Sequence, residues 1–221
     1  MTRNRIAIAV TVALLAAGSL PAHAARVDYV LDGGLEYDDN VQLSSDNPID
    51  QRIYRAGLSF AASEDTSTIQ ARVDGRIEYR NFEDSIYSDS VEGTLAGRLN
   101  WVAIPERLNF TVENSLGVEA IDRFSTNSPD NRQQVNVFSA GPTLHFGVAS
   151  KLRGQAQLRY IDTQAEVNKE YDSQRLAMTL RAIKELSPTS NLSGNLQQQR
   201  VDYDIDLLSR DHDRVDAYLR Y

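Results

Sequence analysis

The amino-acid sequence predicts an all-β fold: an antiparallel up-and-down transmembrane β-barrel of about ten strands. Three observations carry this. Ten stretches of alternating apolar and polar residues run from about Val27 to Tyr221. The connections between them alternate long and short, as when tight turns lie on one side of a membrane and longer loops on the other. Aromatic residues gather at the ends of the stretches over small central residues, which suits rings seated at two membrane interfaces.

The first strand, about 27–38, places Tyr29, Leu31, Gly33, Leu35 and Tyr37 on one face and Asp28, Asp32, Gly34, Glu36 and Asp38 on the other. A polar loop, Asn40 to Asp50, leads to a second strand, about 51–62, with Tyr54, Ala56, Leu58, Phe60 and Ala62 facing lipid. Ser63-Glu64-Asp65 reads as a short turn. The third strand, about 67–81, alternates Ile69, Ala71, Val73, Gly75, Ile77 and Tyr79 with Gln70, Arg72, Asp74, Arg76, Glu78 and Arg80. Six consecutive polar positions on one face are many for the sheet of a soluble protein.

Val91, Gly93, Leu95, Gly97, Leu99 and Trp101 mark the fourth strand, and Ile104-Pro105-Glu106-Arg107 a tight turn. Leu108, Phe110, Val112, Leu116 and Val118 mark the fifth, with Asn114 a polar interruption on the lipid face. After the loop from Asp122 to Gln134, the sixth strand, about 135–148, switches its apolar face near Ala140 and Pro142. A β-bulge is expected there, since one extra residue flips every later side chain. Leu152, Gly154, Ala156, Leu158 and Tyr160 mark the seventh strand, and Leu176, Met178, Leu180 and Ala182 the eighth. Ser187-Pro188-Thr189-Ser190 is a short turn, Leu192, Gly194 and Leu196 open the ninth strand, and Val215, Ala217, Leu219 and Tyr221 close the tenth.

The aromatic positions make two girdles. Tyr37, Tyr54, Tyr79, Tyr160 and Tyr203 fall at the long-loop ends; Tyr29, Phe60, Trp101, Phe110 and Tyr221 fall at the short-turn ends.

Residues 1–24 carry the features of a secretory signal peptide: Arg3 and Arg5, an apolar run from Ile6 to Ala17 broken only by Thr11, then Gly18, Pro21 and Ala22-His23-Ala24. The run falls short of the roughly 20 residues that a spanning helix needs. Cleavage after Ala24 would leave 25–221 as one barrel domain. The chain has 31 Asp and Glu, 23 Lys and Arg, and net charge −8. Removing Arg3 and Arg5 takes that to about −10, which argues against a nucleic-acid partner. There is no cysteine, hence no disulfide framework and no lipid-modified terminal thiol.

Two resemblances refine this. An aromatic last residue preceded by alternate apolar positions (Tyr221, Leu219, Ala217) is similar to the C-terminal signal of Gram-negative outer-membrane proteins. It implies the outer membrane as location, and its lipid and the barrel assembly machinery as partners. Leu35-Glu36-Tyr37-Asp38-Asp39-Asn40-Val41, with the later Leu186-Ser187-Pro188-Thr189-Ser190 turn, resembles the β-barrel, porin-like family that accompanies exosortase/PEP-CTERM systems. That resemblance covers about 12 residues and implies an outer-membrane barrel tied to exopolysaccharide production.

The inward face is expected to carry Arg55, Arg72, Asp74, Arg76, Glu78, Arg98, Glu113, Arg153, Arg159, Arg181 and Arg220. Ten strands lie near the size at which side chains fill a barrel interior. Oppositely charged neighbours would then form ion pairs across a nearly plugged lumen. A narrow pore is the competing expectation, and the arginine excess would favour small anions or sugar acids.

Catalytic readings are weaker. Asp211-His212-Asp213, near Asp38-Asp39 across a closed barrel, has the elements of a general base. His145 is better read as a strand residue. Asp202, Asp204 and Asp206 have the spacing of a calcium loop but lack its Gly and distal Glu. No cofactor motif or metal cluster appears. The expectation is a non-enzymatic outer-membrane barrel, structural or narrowly porin-like, with polysaccharide export as its setting. A soluble periplasmic β-sandwich or barrel that binds a ligand, and an outer-membrane hydrolase, are the alternatives.

Overall fold

The computed structural model describes residues 25–83, 87–147, 151–205 and 210–221. Residues 1–24, for which a signal peptide is expected, and Asp206 lie outside the described residues.

Ten strands form one antiparallel sheet in which every neighbour in sequence is a neighbour in space. They are β1 (Arg26–Asp38), β2 (Gln51–Asp65), β3 (Ile69–Phe82), β4 (Ser90–Ile104), β5 (Leu108–Ala120), β6 (Arg132–Phe146), β7 (Leu152–Ala165), β8 (Ser173–Ser187), β9 (Ser190–Tyr203) and β10 (His212–Arg220). β1 to β9 run 13–15 residues and β10 nine. The fold is therefore all-β and up-and-down, with long connections on one end and short turns on the other.

Among the described residues, β1 pairs only with β2 and β10 only with β9. The expected closure into a barrel is not made, and the sheet keeps two free edges. Each pair that forms joins strands consecutive in sequence, whose own connection limits the available registers. A closing pair would join the two ends of the chain, with no turn to set its register and a long loop-closure entropy against it.

Three local features differ from the sequence expectation. Ser63, Glu64 and Asp65 are not a turn. Ser63 pairs with Arg72 and Asp65 with Gln70, so β2 runs on to Asp65. The chain reverses at 66–68, where the Thr66 amide donates to the Ile69 carbonyl (2.8 Å) and the Ile69 amide to Thr66 Oγ1 (2.9 Å). Polar side chains alone misplace the turn; they are the last polar positions of an intact ladder.

β6 carries no bulge. Its register holds from Leu108↔Leu144 to Ala120↔Arg132 against β5, and Ala140↔Tyr160 and Thr143↔Gln157 are in the same register against β7. Phe138, Ala140, Pro142, Leu144 and Phe146 share one uninterrupted face. The apparent switch comes from Val135 and Val137, which stand on the opposite, polar face toward the long-loop end, where Val135 is buried in an apolar layer.

The third difference is Tyr203. β9 keeps its period of two from Leu196 onward, so Tyr203, paired with Ser173, stands on the polar face. Its ring lies under the Arg210 guanidinium (4.4 Å to the centroid), and its amide donates to Asp211 Oδ1 (2.8 Å).

The tight turns at Ile104–Arg107 and Ser187–Ser190 are as read. Glu106 adopts a left-handed φ of 59° while the Arg107 amide donates to Ile104 O (3.0 Å). Ser187 and Ser190 hydroxyls meet at 2.7 Å around Pro188-Thr189.

Candidate functional site

The registers divide the sheet into two faces. Tyr29, Tyr37, Tyr54, Phe60, Tyr79, Trp101, Phe110, Tyr160 and Tyr221 stand on one of them, with the aliphatic residues between. That face is open to its surroundings: Leu31 is 73% exposed, Leu176 50% and Leu219 79%. Trp101 and Phe110 are paired directly and stack with centroids 5.4 Å apart. The Phe60 ring lies over Gly75, its partner across the ladder, where a Cβ would meet it at 2.8 Å. Asn114, on this face, is not left bare: its Nδ2 donates to Oδ1 of Asn136 (3.0 Å), which is buried.

Arg55, Arg72, Asp74, Arg76, Glu78, Arg98, Glu113, Arg153, Arg159, Arg181 and Arg220 all stand on the other face. The densest cluster spans β1 to β3. Arg76 reaches over β2 and forms a bidentate pair with Asp32 (2.6 and 2.7 Å), and it also contacts Glu78 (2.8 Å). Arg80 Nε binds the second oxygen of Glu78 (2.8 Å), and Arg55 pairs with Glu36 (3.2 Å). The reach across β2 depends on Gly57, where a Cβ would sit 2.5 Å from Arg76 Nη2. Arg72–Asp74 and Arg98–Glu113 are looser, at 3.5 Å. All these pairs lie along one wall of the sheet rather than across it.

Asp32, Glu36, Arg80 and Gly57 complete the cluster. The alternation already assigns them to the polar face; their partners depend on register, which a strand pattern does not give.

Arg159 does something different. Pro142 has no N–H to offer β7, and the β6–β7 ladder is interrupted between Ala140↔Tyr160 and Thr143↔Gln157. The Arg159 guanidinium covers the gap, donating from Nη1 to the carbonyls of Gly141 (2.8 Å), Pro142 (3.1 Å) and Leu158 (3.0 Å), and from Nη2 to Thr143 Oγ1 (3.2 Å). Among the described residues, no ion pair is formed by Arg153, Arg159, Arg181 or Arg220.

The two ends of this face are unlike. At the loop end it is apolar and covered. Ile53, Phe82, Val135, Ala165 and Val201 are buried, with Gln51 and Gln133 among them. Val41 from the β1–β2 loop and Tyr87 from the β3–β4 connection pack on Ile53 and Phe82. Gln133 Oε1 accepts from the amides of Val167 and Asn168 (3.3 and 2.8 Å), pinning the β7–β8 loop. Arg123 of the β5–β6 loop lies 5.8 Å over the ring of Tyr171, and Arg210 donates to the Glu170 carbonyl (2.9 Å), so successive long loops are tied together. At the turn end the same face opens into a cavity of about 950 Å³ lined by both signs of charge, Arg72, Arg98 and Arg107 with Glu64, Asp65 and Glu106, and by Asn100, Asn109 and His145.

The Asp-His elements are dispersed. His212 Nδ1 lies 2.8 Å from the Arg210 carbonyl, Asp211 is engaged by the Tyr203 amide, and Asp213 stands on the opposite face, paired with Arg200. Asp38 caps the amide of Asn40 (2.9 Å). Among the described residues, no three His, Asp or Glu side chains gather as a metal cluster, and no helix is long and apolar enough to cross a membrane. No protein-family model matches the chain, nor does any curated protein or solved structure.

Proposed function

We propose that the chain is an outer-membrane β-barrel with a structural role in the envelope, its interior occupied by its own charged side chains and its long-loop mouth sealed. The observation that carries this reading is the exposed face. A ten-stranded sheet whose outer side chains are mostly Leu, Val, Ala, Gly and end-placed aromatics, with Gln198, Arg200, Asp202 and Asp213 a polar patch toward the loop end of β9 and β10, exposes far more contiguous apolar surface than a protein in water tolerates. Hydrocarbon is the solvent in which that face has no cost. In that solvent the free edges of β1 and β10 must pair, because each unpaired N–H or C=O costs several kcal/mol.

The buried layer formed by Ile53, Phe82, Val135, Ala165 and Val201 favours the sealed, structural reading over a conducting pore. A second reading rests on the turn-end cavity: Arg72, Arg98 and Arg107 line a vestibule that small anions or sugar acids would enter from the periplasm, which is where a link to exopolysaccharide would act.

Fractionation followed by gels run with and without boiling tests the barrel. Recovery from the outer membrane with a heat-dependent shift is the expected result; a soluble periplasmic protein with no shift overturns it and returns the search to ligand binding. Planar-bilayer recording then separates sealed from porin-like: steady conductance of the native protein would overturn the sealed mouth.

A further inference from the structure

The two free edges fit each other in one register. Following the residue pairings from strand to strand, one row crosses all ten: Arg26, Ser63, Arg72, Arg98, Glu113, Ser139, Ile161, Arg175, Val201 and His212. The irregularities at Val102/Ile104 and Glu185/Ser187 lie at strand ends, off this row. The row starts at the turn end of β1 and finishes at the loop end of β10. Closing the sheet flat is therefore impossible: β10 must meet β1 higher up, and the offset is the shear of the barrel.

Strand geometry restricts that offset. With about 3.3 Å per residue along a strand and about 4.8 Å between strands, offsets of 8, 10, 12 and 14 residues in ten strands correspond to tilts of roughly 29°, 35°, 40° and 44°. Odd offsets would set the polar face of one strand beside the apolar face of the other. Eight falls below the roughly 35–45° range of such barrels. Fourteen places His212 opposite residue 40, beyond the end of β1 at Asp38.

Side chains decide between ten and twelve. At ten, Arg220 faces Asp28 and His212 faces Glu36, but mid-strand Asp216 faces Asp32, a like-charge pair, and on the apolar face Asp213 meets Leu35. At twelve, His212 faces Asp38, Arg214 faces Glu36, Asp216 faces Gly34 and Tyr218 faces Asp32, with no like-charge pair, and Arg220 at the strand end faces Val30. On the other face Leu219 then meets Leu31, Val215 meets Leu35, and Tyr221 meets Tyr29 at the girdle. Opposite charges and apolar neighbours directly across an antiparallel pair are stabilising, and like charges the reverse.

We infer that β1 and β10 close the barrel with Leu31 opposite Leu219 and Arg214 opposite Glu36, a shear of twelve. This rests on the barrel reading proposed above. It gives β10 a specific docking edge, the acidic inward edge of β1.

The chain has no cysteine, so paired cysteines report the register without background. Leu31→Cys is combined in turn with Val215→Cys, Ala217→Cys and Leu219→Cys, and the three proteins are oxidised in outer membranes. Directly opposite residues lie about 4.5–5.5 Å apart between Cα atoms, and one register step away about 7–8 Å, beyond the span of a disulfide. Only the Leu31→Cys, Leu219→Cys protein is expected to cross-link as a monomer, and it should then keep its compact mobility on boiling until reductant is added. Heat-dependent mobility of each reduced variant shows that it has folded. A monomeric cross-link with Ala217→Cys or Val215→Cys overturns the register. Cross-linking only between chains overturns it too, because the edges then join copies. If no pair cross-links while the heat shift persists, the register fails and the barrel stands; if the native protein shows no heat shift, the barrel itself fails.

Discussion

Arg159 supplies, from a side chain, hydrogen-bond donors where Pro142 lacks its backbone N–H. A guanidinium that bonds three carbonyls and a hydroxyl cannot be replaced by a single ammonium group. Arg159→Ala is expected to lower stability by about 2–3 kcal/mol, because its charge-assisted bonds to three carbonyls and a hydroxyl are lost. Arg159→Lys should recover less than half of that. Urea unfolding in detergent micelles measures both, and an unchanged midpoint for Arg159→Ala would remove its bridging role. Gly57 is the other position where one atom decides a contact. A methyl there displaces Arg76 from Asp32, at a cost of about 1 kcal/mol, since the crowded atoms are the movable end of a side chain. In an Asp32→Asn background Gly57→Ala should cost less than in the native protein. Equal costs in the two backgrounds would show that the glycine serves something other than this pair.

Strands were legible because their signal is a period, and a period survives local noise. Third-strand residues Ile69 to Arg80 alternate without a fault, and every one of them lies on the face its position predicts. The errors have physical sources. Ser63 to Asp65 look like a turn because polar residues also end strands. Val135 and Val137 look like a register change because both stand on the polar face, Val135 buried in the apolar layer of the loop end. Tyr203 ends its strand as a girdle ring would, but the period of two sets it on the polar face. Charged site residues were legible as a face, but Arg76–Asp32 was not legible as a pair, since it joins strands two apart over a glycine. The β3–β4 connection shows a related limit. Asp89 accepts from the Tyr79 hydroxyl (2.6 Å), Asn81 Nδ2 (2.9 Å) and the Phe82 amide (3.4 Å). These bonds, the Tyr79 hydroxyl first, hold its carboxyl below the usual aspartate range. A depressed carboxyl stabilises the fold fully above its unfolded value of about 3.9 and loses that contribution as pH falls through the lower native value. The heat-opening temperature of the native protein should therefore fall more steeply below about pH 4 than that of Asp89→Asn. Parallel curves would show that the clasp contributes nothing.

Ion pairs and an apolar layer divide the polar face into an open turn end and a covered loop end, and in the proposed barrel this division would control what can pass. The acids that balance the arginines sit mostly on β1 to β5, whereas Arg153, Arg159, Arg181 and Arg220 form no ion pair among the described residues. A solute that crossed the interior would therefore meet uncompensated positive charge once past the seal. Removing the seal should expose that charge as selectivity. Ile53→Ala together with Phe82→Ala deletes two of the buried side chains at the loop end and undermines the seats of Val41 and Tyr87. Each truncation costs about 2–5 kcal/mol where the site cannot collapse, so the double variant is best first assayed for heat-dependent mobility. If it folds, it should conduct where the native protein does not, and its reversal potential in a potassium chloride gradient should favour chloride, as arginine-lined constrictions do. Adding Arg153→Gln and Arg181→Gln should then reduce the chloride preference without abolishing conductance. A folded double variant that stays silent would mean that the interior is blocked along its length by the charged layer itself, and that the apolar seal is a consequence of packing the loops rather than the gate.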